Sequence, residues 1–234
     1  MEQPRTVAVL VGRPATHTSE RGNEVRTAIR KSVVDGPVAV RSINIDGDEQ
    51  ADLRVHGGLD KAVLAYSADH GATWSEVDVA LAAPGAFGEN LHVAGLTEAD
   101  VCIGDRWSVG TSVLEVSQPR QPCWKLNDRW GRDDLVQRIE ANGRSGWYLR
   151  VLQEGVLGAG DRWELLERPQ PDWSVARVHS VMHHRVDDLD AARDLDAVAE
   201  LSASWRRSLQ KQVQQLLGGT TQDEPSARRS GPDS

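Results

Sequence analysis

Glycine and proline cut most of this chain into runs too short for anything but small strands, and then glycine disappears. Up to Gly160 the β-branched and apolar runs Thr6 to Val11, Val38 to Ile45, Ala62 to Tyr66, Val113 to Val116 and Gly146 to Leu152 are separated by turn-forming groups such as Asp35-Gly36-Pro37, Pro84-Gly85 and Asn142-Gly143. Short runs bounded by such signals bury themselves as many small strands, so residues 1–168 are expected to form a mostly β barrel or sandwich with brief helices. The character changes at Pro169-Gln170-Pro171. From Trp173 to Leu217 there is no glycine, and Val175, Val178 and Met182, then Leu189, Ala192 and Leu195, then Trp205, Leu209, Val213 and Leu216 fall at helical intervals. That spacing predicts a three-helix domain over 169–217. Residues 218–234 are polar and rich in Gly, Ser and Pro, and are expected to be disordered.

Within the β region, Gly12 to Asn23 reads as a long loop, and Val33-Val34, the Asp35-Gly36-Pro37 turn and Val38 to Ile45 read as a hairpin. Asp69 is placed to cap a helix reaching Leu81 with Trp74, Val77 and Leu81 on one face, and a second helix is expected from Asp133 to Ala141. Gly104-Asp105-Arg106-Trp107 recurs as Gly160-Asp161-Arg162-Trp163, which reads as two equivalent strand starts in a barrel.

The chemistry concentrates in Ser117-Gln118-Pro119-Arg120-Gln121-Pro122-Cys123-Trp124-Lys125-Leu126. Two prolines end the preceding strand and stiffen the backbone that carries Cys123. Arg120 and Lys125 favour thiolate over thiol if both fold toward the sulfur. A lone cysteine is equally well a small buried hydrophobe, so both readings stand. Cys102, between Val101 and Ile103, reads as core, and two cysteines at this spacing make neither a zinc site nor a disulfide framework. Lys31-Ser32 offers a cation and a hydroxyl at a strand end. His56-Gly57-Gly58 with Lys61 combines a backbone able to cradle an anion with flanking positive charge. Phe87-Gly88-Glu89-Asn90 can meet a heterocycle edge or tie a loop together. His179, His183 and His184 lie on one helical turn, but no carboxylate or cysteine completes a metal set there.

A net charge of −8 excludes a protein that coats nucleic acid, while leaving room for a local basic pocket. No apolar run approaches the length of a membrane span, so no membrane partner is expected and the cytoplasm is the default location.

Taken together these segments resemble the MOSC domain, named after the C-terminal region of molybdenum cofactor sulfurases, and within it the stand-alone YiiM-type proteins that carry a three-helix extension. The resemblance rests on Lys31, Gly47-Asp48-Glu49-Gln50-Ala51-Asp52, His56-Gly57-Gly58 with Asp60 and Lys61, Phe87-Gly88-Glu89-Asn90-Leu91, Gly95-Leu96, Ile103-Gly104-Asp105, Val116 to Arg120 with Pro122-Cys123, and Gly143 to Trp147. Val55 departs from it, standing where a second histidine is common. The resemblance implies a MOSC β-barrel fold and a molybdenum cofactor (molybdopterin) whose metal is ligated by Cys123, the catalytic residue. It makes Lys31, Ser32, His56, Gly57, Gly58, Lys61, Asn90 and Arg120 candidates to hold the cofactor. It implies a molybdenum-dependent oxidoreductase that reduces small N-hydroxylated substrates, of hydroxylaminopurine or amidoxime type, with electrons from a separate reductase. Pyridoxal phosphate binding is a further family-level association. No Gly-x-Gly-x-x-Gly fingerprint follows any strand, which agrees with an external electron donor. Two other functions fit the same residues: a sulfur carrier bearing a Cys123 persulfide, and a non-catalytic binding module in which the cysteine is core.

Overall fold

The computed structural model describes residues 3–19, 22, 24–52, 56–184 and 188–219. The strands in chain order are β1 (Arg5–Val11), β2 (Ala15–Thr18), β3 (Glu24–Thr27), β4 (Ser32–Val33), β5 (Val38–Arg41), β6 (Asn44–Ile45), β7 (Val63–Ser67), β8 (Leu91–Ala94), β9 (Arg106–Val109), β10 (Ser112–Pro119), β11 (Trp147–Gln153), β12 (Gly155–Leu157) and β13 (Trp163–Glu167). Between them lie the short helices α1 (Gly71–Ser75), α2 (Trp124–Trp130) and α3 (Leu135–Asn142), and after them α4 (Val175–His183), α5 (Leu189–Asp196) and α6 (Ala203–Gly219).

Eight strands form one sheet in the order β13-β9-β10-β11-β7-β8-β1-β4, with β7 and β8 parallel and every other pair antiparallel. Backbone bonds then join the two sides. Thr6 N donates to Asp161 O at 2.9 Å, Gly160 N to Thr6 O at 2.8 Å, and Trp163 N to Pro4 O at 2.9 Å. The start of β1 thus meets the start of β13, which closes seven strands into the expected barrel and leaves few edge groups unpaired. The repeated Gly-Asp-Arg-Trp segments start β9 and β13, which are neighbours, and their Trp107 and Trp163 rings meet edge-on at 5.9 Å.

The three C-terminal helices follow as the sequence indicates, and α6 runs to Gly219, two residues past the expected end at Leu217. One apolar core joins them to the barrel, running from Val9, Val116 and Trp147 through Trp173 and Val178 to Trp205 and Leu209. Backbone bonds from Val175 N to Val101 O (2.8 Å) and from Ser202 N to Ser117 O (3.0 Å) fix the attachment. No helix among the described residues is long and apolar enough to cross a membrane. The tail expected over 218–234 lies mostly outside the described residues, as does Val55.

Three local expectations are corrected. The Gly12 to Asn23 loop contains β2, paired with β3; its residues are mostly exposed, so no apolar alternation marks it. The hairpin across Asp35-Gly36-Pro37 does not form, because β4 pairs with β1 while β5 pairs with β12 and β6. The helix from Asp69 to Leu81 is broken: α1 ends at Ser75, and Asp78 caps a separate turn by accepting from Ala80 N at 2.9 Å. Trp74 and Leu81 still face inward together, so the apolar spacing was correct and the continuity was not.

Candidate functional site

The last residues of β10 aim the chemistry. Pro119 makes the final pair with β11, and Arg120 N adds one more bond to Gly146 O at 3.0 Å. Gly146 itself sits at φ +79°, where a Cβ would lie 2.4 Å from Ala65 O, so only glycine lets β11 and β7 come together there. Glu98 holds this corner from behind, accepting from Gly146 N at 2.7 Å and contacting His70 Nε2 at 2.6 Å. Beyond Arg120, Gln121 and Pro122 carry the chain to Cys123, which is extended (φ −122°, ψ 161°) and immediately precedes α2. The cysteine is half-buried, whereas Cys102 is buried as core.

Cys123 lies on the wall of a cleft that opens to solvent. The cleft brings together Lys31, His56, Gly57, Lys61, Asn90 and Arg120 with Lys125, the second cation that the sequence places near the sulfur, and the structure adds Tyr148. Ser32 and Gly58 do not line it; Ser32 is paired on β4, and Gly58 leads into the turn that carries Lys61.

Each basic group is held differently. Lys31 donates to Asp48, whose carboxylate is fully buried and also accepts from Gly12 N at 2.8 Å. Burial pushes the Lys31 pKa below its ordinary value, with the Asp48 charge opposing. Lys61 stands 5.9 Å from the Tyr148 ring centroid, and burial lowers its pKa too. Burial depresses His56 as well, reinforced by the Lys125, Lys61 and Arg120 cations, so its imidazole is neutral at pH 7. Arg120 is only 5% exposed and donates from Nη2 to Phe87 O at 3.0 Å. Its Nη1 is buried with no hydrogen-bond partner among the described residues. A buried, permanently charged donor left open costs stability unless a ligand satisfies it.

Asn90 lines the cleft, but its amide is engaged on backbone: Oδ1 accepts from Leu64 N at 3.1 Å and Nδ2 donates to Leu10 O at 3.2 Å. Glu89 ties its own loop, accepting from Gly85 N at 2.6 Å and Phe87 N at 3.1 Å. The two therefore hold the Phe87 to Leu91 segment against β1 and β7. The site residues least visible in the sequence are Asp48, Glu98 and Tyr148. Asp48 sits in an acidic turn, and its burial and role come from partners distant in sequence, Lys31 seventeen residues upstream and Gly12 N.

The family model for the MOSC domain matches residues 52–164, which hold Cys123, Arg120, His56 and Lys61, and the model for the YiiM-like 3-alpha helix domain matches residues 173–216. The crystal structure of YiiM from Geobacillus stearothermophilus superposes with a TM-score of 0.77 at 38% identity, covering 90% of this chain and 99% of that one. The chain belongs to the MOSC-domain family, in its YiiM-like branch. YflK of Bacillus subtilis is 40% identical over 93% of this chain and 99% of its own length. A Gibberella moniliformis protein named as a reductase is 42% identical over 70% of this chain, but only 30% of that protein is matched. MOSC domains as a family are associated with molybdenum-cofactor binding.

The residues present fit such a group. Among the described residues no cluster of three or more His, Cys, Asp or Glu side chains is placed to hold a bare metal ion. A group that brings most of its own metal ligands, as a pterin dithiolate does, would need only one soft thiolate from the protein, and Cys123 presents one. The open Arg120 Nη1, with Lys61 and the positive-φ Gly57 backbone on the same walls, offers donors to an anionic phosphate.

Proposed function

We propose that this protein is a molybdenum-cofactor-dependent reductase of N-hydroxylated compounds. The observation that carries the reading is the buried, half-satisfied guanidinium of Arg120 on the wall of the cleft that also presents the Cys123 sulfur. In this reading Cys123 ligates the metal, Arg120 and Lys61 bind the phosphate, and Lys31 with its Asp48 partner sets the cleft's charge. When bound, the cofactor supplies two-electron transfer and oxygen acceptance, the chemistry that protein side chains lack. Converting N–OH to N–H and water consumes two electrons and two protons. His56, kept neutral beside the cysteine, passes the protons inward from solvent. The electrons come from a separate reductase. The relative named as a reductase supports the reaction class.

Metal and pterin analysis of protein made in a molybdate-replete host tests the assignment. Near-stoichiometric molybdenum and pterin are expected, both lost in Cys123→Ala, with N-hydroxylamine reduction lost as well. Turnover retained in that variant refutes the ligation, and a labile sulfane sulfur on Cys123 without molybdenum establishes a sulfur carrier instead.

A further inference from the structure

The chain has two tyrosines, and the fold uses them in opposite ways. Tyr66 is buried with its hydroxyl engaged twice, donating to Arg144 O at 3.1 Å and accepting from Trp74 Nε1 at 2.6 Å. Tyr148 lines the cleft, and its hydroxyl makes no hydrogen bond among the described residues. Nor is that hydroxyl one of the buried polar atoms left without a partner, so it opens onto the cleft.

A β-bulge aims this side chain. Val116 pairs with Leu149 and Gln118 with Tyr148, which leaves Ser117 as the extra residue of β10. Bulges bend a strand and re-aim side chains, and they recur next to active sites. The buried Ser117 hydroxyl is shared between Tyr148 O at 3.1 Å and Asp60 O at 2.6 Å. One atom thereby pins the backbone of Tyr148 and of the turn that carries Lys61, whose ammonium stands 5.9 Å from the Tyr148 ring centroid. The phenol is thus rigidly placed on the cleft wall that Cys123 and Arg120 share, with its O–H left to a ligand.

We propose that Tyr148 is a catalytic residue, the proton donor to the oxygen that leaves the substrate nitrogen. This rests on the reductase reading and adds a role that Cys123, Arg120 and His56 do not fill. Converting N–OH to N–H and water takes two electrons from the separate reductase and two protons. The N–O bond breaks and the electrons go to nitrogen. The oxygen already carries one hydrogen and needs one more to leave as water. The Tyr148 hydroxyl gives that proton and regains it from solvent through His56, while the second proton goes to nitrogen. A phenol keeps its proton at neutral pH, so the donor is loaded before each turnover.

The test compares wild type with Tyr148→Phe, which removes the oxygen alone, using benzamidoxime as substrate and reduced methyl viologen as electron source. The kcat is expected to fall about a hundredfold with KM within about threefold, while Tm and molybdenum content stay unchanged because the hydroxyl holds nothing in the protein. In the cofactor-free protein, N-acetylimidazole acetylates Tyr148 and spares Tyr66, read by peptide mass spectrometry. A variant that turns over within about threefold of wild type overturns the donor role. A kcat loss matched by equal loss of molybdenum or by a lower Tm overturns it too, by making the hydroxyl structural, and so does a Tyr148 that resists acetylation. Failure of the cofactor reading has a separate signature: wild-type protein lacks molybdenum and turnover while Tyr148 is still acetylated, and the donor role falls with the reaction.

Discussion

Replacing Arg120 by methionine separates ligand binding from folding more sharply than any other change at the site. The substitution keeps an unbranched, buried stem and removes the charge. What is lost is the Nη2 bond to Phe87 O, and a hydrogen bond from a charged donor contributes roughly 1.5 to 3 kcal/mol. What is relieved is the buried Nη1, which has no partner among the described residues; an unsatisfied buried donor costs roughly 1 to 3 kcal/mol. The two nearly cancel, so the cofactor-free variant is expected within about 1 kcal/mol of wild type, which for a chain of this size is a shift of about 2 to 4 °C in Tm. Inorganic phosphate, as the simplest mimic of the cofactor's anionic end, then discriminates between them. At ten times its dissociation constant it stabilises wild type by about 1.4 kcal/mol and leaves Arg120→Met unmoved. Differential scanning calorimetry of both proteins with and without phosphate reads the two quantities together. A fall of about 10 °C or more in the cofactor-free variant shows that the guanidinium is a structural strut, and an equal phosphate shift in both proteins refutes its role as the anion contact.

Three other perturbations follow from the same geometry. Lys31→Met leaves the fully buried Asp48 carboxylate without its cation, held only by the neutral donors Gly12 N–H and the Gln50 amide, so roughly 3 to 5 kcal/mol of stability is lost in denaturant titration, and a Lys31→Met/Asp48→Leu pair recovers most of it. Gly146→Ala forces a Cβ against Ala65 O at φ +79°; a cost of about 2 kcal/mol or more is expected, together with reduced cofactor content, because Gly146 O positions Arg120, and normal content at reduced Tm rejects the positioning role. His179 is buried against His183 and His184, and burial, with those two neighbours, lowers its pKa to about 4. The unfolded chain binds a proton near pH 6.5 and the folded one does not, so stability is complete above pH 6.5 and falls as the pH drops toward 4, by roughly 2 kcal/mol after allowance for screening. His179→Leu flattens that slope in a Tm-against-pH series, and an unchanged slope assigns the acid sensitivity elsewhere.

The division between what was legible in the sequence and what was not follows the range of the interaction. Helical periodicity is local, so Val178, Leu195 and Leu209 announced the C-terminal helices and all three are buried there. The doubled Gly-Asp-Arg-Trp segment likewise marked β9 and β13, because a turn followed by an inward tryptophan is a local pattern. Strand partners are not local. Nothing in Val33-Val34 says that β4 joins β1 rather than β5, and the turn signal at Asp35-Gly36-Pro37 points the wrong way because the chain leaves one sheet for another there. The cleft shows the same rule in its charges. Lys31, His56, Arg120 and Cys123 are each identifiable as chemistry-bearing residues, but whether a cation is neutralised depends on partners distant in sequence: Asp48 takes up Lys31, and no described residue takes up Arg120 Nη1. Barrel closure therefore decides which basic group remains open to a ligand on the cleft wall that the half-buried cysteine shares.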